Sequence, residues 1–407
     1  MMMNRKNAHP ISPLLWVMLF DHTSLNMTFP VLTLLFFDVQ SSLFSGETSL
    51  SLRSMWYGLC VALPHIINIV MAPLFSFFSD HVGRKKILIV GTLGALFFAL
   101  TAAFGVFFGI LSLFFLARIV QGLFSRTNPV AQAVIGDVSP PEKKLRHMGY
   151  LQWSISMGAF IGPIIGGYFA KPFFFAQLNF SLPYFIAAIF AFVSCLLSVF
   201  FFKETVKPAV EKNTPRVMGR AMLKIMRQRA VWEISVILLL SQVSWSLYYQ
   251  FMPPLLKTTA HFNPHALGLF VGLIAFWLAV ATGIGIKLLD TFFSVRQMLH
   301  FSLYAVLAGL LCTVMAFWAS IPLFIWLAAV PIAMGDVMAY SCLTTLYSDA
   351  VAKEDQGKVM GICFIIVSTI WSLAGLLGGV LMSIYALLPL IVAPIGVLSA
   401  IVALRIS

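Results

Sequence analysis

Residues Gly149–Gly167 read GYLQWSISMGAFIGPIIGG, and this stretch decides the fold. Gly158, Gly162 and Gly166 recur at every fourth position, so they share one narrow face of a helix. Without side chains, that face lets a neighbouring helix backbone come very close, as tightly packed membrane helices do. Gly149 stands nine residues ahead of Gly158, and Gly167 directly follows Gly166. Pro163 lacks a backbone donor and frees the carbonyl of Ala159, so the helix is expected to bend there. A kinked helix with a bare face suits close packing against an element that also moves.

The rest of the chain puts this helix in a membrane. Sixty per cent of the 407 residues are hydrophobic and 10% are charged, against roughly 25% charged residues in a soluble domain. Apolar runs long enough to span a bilayer, about 20 residues each, occur near 13–36, 55–78, 87–109, 112–135, 147–170 and 182–202. They resume near 230–252, 265–289, 298–319, 321–346, 359–382 and 384–404. The expected architecture is therefore an all-α membrane protein with twelve transmembrane helices in two pseudo-symmetric six-helix bundles, residues 1–202 and 230–407. Residues 203–229, the longest polar segment, form the expected cytoplasmic linker, part of which suits an amphipathic helix on the anionic inner leaflet.

The net charge of +12 is a topology signal and gives no support to nucleic-acid binding. With the N-terminus inside, the inner loops and tails hold most of the basic residues, eight of them between Lys203 and Arg229. The outer loops hold only Arg53, Lys171 and Lys257, which orients both termini to the cytoplasm. The first apolar segment follows Arg5 and Lys6 but is long and lacks a small-residue cleavage site, so it reads as a span and not a signal peptide. Cys60, Cys195, Cys312, Cys342 and Cys363 show no paired spacing and read as apolar filler.

An internal repeat supports the division. Asp137–Gly149 reads DVSPPEKKLRHMG and Asp349–Gly361 reads DAVAKEDQGKVMG, with Asp, Glu, Met and Gly at identical offsets. Gly166 and Gly167 reappear at the same displacement as Gly378 and Gly379, which implies two homologous halves. In the second copy Ser368, Ser372, Gly375 and Gly379 continue the small-residue face, with Gly375 standing where Pro163 does, so less of a kink is expected there.

Charges at membrane depth are costly and point to function. Four lie at membrane depth: Asp21, Arg118, Arg126 and Asp336. At 1.5 Å per residue, Asp21 and Arg126 both lie roughly 12–14 Å from the cytoplasmic ends and Arg118 about 25 Å, so Asp21 and Arg126 are the expected direct pair. A change in the distance between a buried carboxyl and an arginine alters whether the carboxyl keeps its proton, which makes Asp21 the first candidate proton carrier and Asp336 its competitor. A buried structural ion pair is the bland alternative. Gln242, Trp245, Tyr248, Tyr249 and Gln250 with Asn26 offer aromatic faces and amides for a flat or amphipathic ligand, or for a cation. The same tyrosines also suit anchoring at the membrane interface. His65, in mid-span, reads as a hydrogen-bonded helix contact. In SDHVGRKK, Asp80, Gly83, Arg84, Lys85 and Lys86 make a short turn that a glycine reverses and cations hold inside.

Three of these stretches resemble the drug:proton antiporters of the major facilitator superfamily. Gly149–Gly167 is similar to their fifth-helix signature, SDHVGRKK to their second-to-third loop motif, and Arg118–Gly122 (RIVQG) to their fourth-helix motif. Asp21 and Pro30–Leu32 (PVL) also resemble the first helix of tetracycline-type exporters. Ser76 stands where the loop motif has its first glycine. The resemblance implies proton-driven export of a small organic molecule such as an antibiotic by a monomer in a bacterial inner membrane, with helices one, four, seven and ten gathering all four charges around a central cavity. It also implies that Asp80 latches the cytoplasmic gate against the start of span eleven near Gly361, where a helix dipole favours a carboxylate by about 0.3–1 kcal/mol. Export of an endogenous metabolite such as a siderophore, or nutrient import, would use the same parts, and a non-transporting receptor is a remoter reading. No HExxH, GxSxG or GxxxxGK(S/T) motif and no clustered metal ligands occur, so no catalytic residue, cofactor or metal is expected.

Overall fold

The computed structural model describes residues 11–44, 46–124, 127–171, 178–205, 215–352 and 355–406. Within these, the chain is helical and no strand occurs. Before the polar linker run α1 (Ser12–Phe37), α2 (Leu50–Val82), α3 (Arg84–Phe107), α4 (Leu111–Phe124), α5 (Thr127–Val138), α6 (Pro141–Phe169) and α7 (Leu182–Phe200). Within it lies α8 (Pro215–Met226), and after it come α9 (Arg229–Thr258), α10 (Pro264–Val280), α11 (Ile286–Asp290), α12 (Val295–Ala319), α13 (Pro322–Asp349), α14 (Gln356–Ile384) and α15 (Leu388–Ile406). Among the described residues nine helices are long and apolar enough to cross a membrane. Helices α1 and α6, at 26 and 29 residues, also have the length to cross.

Local chemistry sets the helix ends. Proline opens α7, α10 and α13 in the first turn, where a missing N–H costs nothing. Ser49 and Asn263 accept backbone N–H groups at the starts of α2 and α10, and Ser294 with Gln297 forms a capping box on α12. Gly83, at φ +110°, separates α2 from α3. A π-helical turn, Ala281–Gly285, joins α10 to α11.

Helix α1 packs against α6 and α7, α3 against α4 and α7, α12 against α13, and α9 against α15. Serine hydroxyls tie these pairs together: Ser24 donates to the Ala187 carbonyl at 2.8 Å, Ser194 to Val17 at 3.0 Å, and Ser244 to Ala393 at 2.6 Å. Such interhelical bonds contribute on average about 0.6 kcal/mol each in a membrane.

Two close contacts join helices before the linker to helices after it: α2 with α14, and α6 with α10. Both are made glycine against glycine. A methyl group on Gly58 would sit 2.5 Å from the Gly375 carbonyl oxygen and 2.7 Å from the Gly379 Cα, and one on Gly167 would sit 2.8 Å from the Gly268 Cα. Gly167 and Gly379 are the repeat-related positions, so the same contact is built twice with the two halves exchanged.

The glycine face itself packs against α1. A methyl group on Gly158 would lie 2.7 Å from the Leu19 carbonyl oxygen, and one on Gly162 would lie 2.6 Å from that of Thr23. Gly166 meets the Met27 carbonyl in the same way. Three of the signature glycines therefore clamp α6 onto α1, and only Gly167 faces across to α10. Gly149 has nothing over it within 4 Å. Pro163 lies within a helix that continues to Phe169, and its carbonyl faces Gly268.

Candidate functional site

The clamp on α1 frames Asp21. This carboxyl is fully buried; its Oδ2 accepts a hydrogen bond from the Thr127 hydroxyl at 2.6 Å, and its Oδ1 has no hydrogen-bond partner among the described residues. The next residue, His22, also has a buried ring nitrogen, Nε2, without a partner among the described residues. Arg126, the expected partner of Asp21, lies outside the described residues. Arg118 is buried on α4, but its Nε donates to the Cys60 carbonyl at 2.9 Å and a terminal nitrogen to Gln121 Oε1 at 2.5 Å, so it serves α2 and its own helix. Asn26 likewise serves its own helix: its amide donates to the His22 carbonyl one turn back, at 2.8 Å.

Asp336 lies elsewhere. A cavity of about 230 Å³ is lined by Gln242, Trp245, Asp336, Tyr340 and Trp371 together with Leu278, Val337 and Val367. Of Asp21, Arg118 and Asp336, the described members of the four charges expected around one cavity, only Asp336 lines this one, because α13 carries it between α9 and α14 while α1 is held on α6. Gln242 joins the polar groups: its Nε2 donates to Asp336 Oδ1 at 3.3 Å and its Oε1 accepts from the Trp371 indole N–H at 3.3 Å. The indole can only donate, which fixes the amide's orientation and makes Asp336 Oδ1 an acceptor.

The aromatic rings extend from this cavity across the molecule. Tyr249 stacks on Trp245 with centroids 5.3 Å apart and on Phe29 of α1 at 4.9 Å, and Trp371 lies 5.1 Å from the His65 ring of α2. Tyr248 is buried with its hydroxyl unpartnered among the described residues, so of the two tyrosines Tyr249 reaches across to α1. Trp371, Tyr340, Phe29 and Thr127 were not singled out from the sequence. Trp371 was legible as a lone large ring on the small-residue face of Ser368, Ser372 and Gly375, and Thr127 as the hydroxyl next to Arg126.

The two ends of the helices differ. Where the polar linker leaves α7, Arg84 Nε contacts Asp137 Oδ2 at 3.1 Å. The Glu204 carboxylate accepts the backbone N–H groups of Arg84 and Lys85 at 2.9 and 3.1 Å, satisfying the first turn of α3. The side chain of Asp80 lies outside the described residues, and the side chain that covers Gly361 is Met222 of α8. At the opposite end, Lys257 Nζ pairs with Asp38 Oδ2 at 2.6 Å, Tyr57 donates to the Gln250 carbonyl at 2.7 Å, and the Tyr57 ring meets Phe251 edge-on. These contacts cross between helices before and after the linker, at the end where the paired glycines also meet.

The profile of the Major Facilitator Superfamily matches residues 14–379. The chain belongs to the Major Facilitator Superfamily. It is accordingly a multi-pass membrane protein, of a family whose curated relatives are transporters and not enzymes. This superfamily member is 30% identical over 204 residues to the class H tetracycline resistance protein of Pasteurella multocida, a match covering 50% of this chain and 47% of that one. It is 32% identical over 152 residues to multidrug resistance protein 2 of Bacillus subtilis (strain 168), covering 36% and 35%. The matched segments thus span about half or less of these relatives' length. Among solved structures, the D-xylose–proton symporter superposes with a TM-score of 0.75 at 15% identity over 97% of this chain and 96% of that one. The human organic anion transporter MFSD10 gives 0.70 at 16% identity over 97% and 98%. At these identities the likeness is one of fold.

Proposed function

We propose that this Major Facilitator Superfamily member is a proton-coupled exporter of a small organic molecule, a drug, antibiotic or other toxic compound, across a bacterial inner membrane. Twelve spans in two bundles, residues 1–202 and 230–407, rock about a midplane site, with both termini and the linker 203–229 in the cytoplasm. Relatives named for tetracycline and multidrug resistance support export.

The observation that carries the reading is Asp21. A carboxyl with one oxygen held by Thr127 and the other unpartnered among the described residues is costly to keep inside a membrane protein, and such cost is characteristic of proton sites. Its surroundings suit a group whose occupancy changes with conformation, because the bare α6 face lets α1 shift against it. Asp21 is accordingly assigned the proton and Asp336 the substrate side, where a carboxylate among Trp245, Tyr340 and Trp371 favours a flat ligand bearing positive charge. The contacts at the Asp38–Lys257 end correspond to a closed outer gate, and the Arg84, Asp137 and Glu204 cluster to the cytoplasmic hinge.

The test uses protein reconstituted in vesicles with an imposed pH gradient and a panel of fluorescent organic cations and antibiotics. Uptake into inverted vesicles should follow the gradient and collapse with a protonophore. Asp21→Asn should abolish substrate-driven proton movement while the protein stays folded. Substrate flux indifferent to the gradient, or proton movement retained in Asp21→Asn, defeats the assignment.

A further inference from the structure

Helix α8, the folded part of the linker, leaves an apolar crevice and a basic edge that the transport site does not use. The crevice, about 320 Å³, lies between α8 and α14 and is lined by Gly219, Met222, Leu223, Met226, Ile362 and Ile365. Ile225 is buried on the inner side of α8, and the Met222 methyl rests on the Cα of Gly361. Gly149, the repeat counterpart of Gly361, has no such cover, so the docking belongs to the linker and not to the repeat. On the outer side Leu223 is 67% exposed and nearby Trp232, in the first turn of α9, is 58% exposed. Lys224 and Arg227 are exposed beside them and form no ion pair among the described residues, while Arg229 is paired with Glu233 at 2.7 Å.

An apolar groove beside exposed Leu223 and flanked by cations that form no ion pair among the described residues has the chemistry of a lipid site: the acyl chain enters the groove and the phosphate meets the cations. Position gives this consequence. Helix α8 touches α14 and α9 after the linker and α2 before it, so it lies across the α2–α14 seam at the linker end. We propose that α8 binds an anionic phospholipid in the groove against α14, and that the bound lipid holds α8 on Gly361 and so steadies the seam on the linker side.

The experiment uses the full chain in nanodiscs of phosphatidylcholine with or without phosphatidylglycerol. Native mass spectrometry reads retained lipid, and hydrogen exchange reads the α8 amides. Phosphatidylglycerol should be retained in preference to phosphatidylcholine and should slow α8 exchange. Lys224→Gln and Arg227→Gln should each weaken that preference about fivefold, as the loss of one cation near an anionic headgroup implies. Leu223→Ser tests the groove and should lower retention with the cations intact, whereas Lys143→Gln, in the first turn of α6, should leave both readouts unchanged. Equal retention of the two lipids, displacement by millimolar inorganic phosphate, or equal binding of a neutral detergent overturns the proposal. None of these readouts requires transport, so they stand apart from the outcome of the proton assay.

Discussion

Thr127 is the residue that makes Asp21 tolerable. Its hydroxyl supplies the one hydrogen bond that the carboxyl accepts from a described residue, across from α5 to α1. Removing one partner of a buried polar pair costs about 1–3 kcal/mol. Thr127→Val should therefore lower the thermal midpoint of the purified protein, and Thr127→Val combined with Asp21→Asn should lose less than the sum of the single effects. Additive losses would mean the two groups do not act together. At the cavity, Asp336→Asn should weaken binding of a hydrophobic cation such as tetraphenylphosphonium by tenfold or more, with ~1.4 kcal/mol equivalent to each factor of ten. Binding of tetraphenylborate, of the same shape and opposite charge, should not weaken. Quenching of Trp245 and Trp371 fluorescence reads both. Residue identity made Asp21 and Asp336 legible from the sequence, because a charge inside an apolar run needs no structure to be noticed. Their separation was not legible: depth arithmetic gives position along a helix and says nothing of which face each carboxyl turns to.

At the scale of helices, α6 does two jobs on two edges. Gly158, Gly162 and Gly166 hold α1, and Gly167 holds α10. A spacing of four correctly identified a bare helix face, but spacing does not name the neighbour, and one further residue turns the side chain by about 100° onto a different helix. The two edges predict different defects. Gly162→Leu should prise α1 from α6, an overpacking that costs roughly 1–3 kcal/mol, and should reduce both stability and transport. Gly167→Leu loads only the seam with α10 and should shift the protein toward opening at the Asp38–Lys257 end while remaining folded. Labelling of a cysteine placed at Gln250 should then rise in Gly167→Leu and stay low in the parent, and unchanged labelling would remove that seam from the gate. Helix α1 also joins sites that the sequence treats separately, since Asp21, the Phe29 ring stacked on Tyr249, and Asp38 at its C-cap all ride on one element. A small shift of α1 at the carboxyl reaches the ion pair some 25 Å away along the same helix axis.

For the molecule as a whole, the membrane class was readable from composition, because a bilayer imposes span length on any chain. The contacts made at the Asp38–Lys257 end were not readable, since composition and spacing do not say which helices meet. The Asp38–Lys257 pair is partly exposed, so it contributes little, about 0–1 kcal/mol, and a pair that weak biases an equilibrium without locking it. Lys257→Ala should raise Gln250Cys labelling by a few-fold, and the exchanged pair Asp38→Lys with Lys257→Asp should restore it. If the exchange fails to restore the parental labelling, the charge pairing is not what sets the bias.

Glu204 has a mechanical consequence. By bonding to the start of α3 it anchors one point of the chain, and α8 rests on α14 at another, with ten residues of sequence, 205–214, between Glu204 and the start of α8. Ten residues drawn out fully reach at most about 33–36 Å, so this length of chain sets a ceiling on how far the two anchored points can part. Its length, and not its composition, is then the quantity that evolution or an engineer would have to preserve.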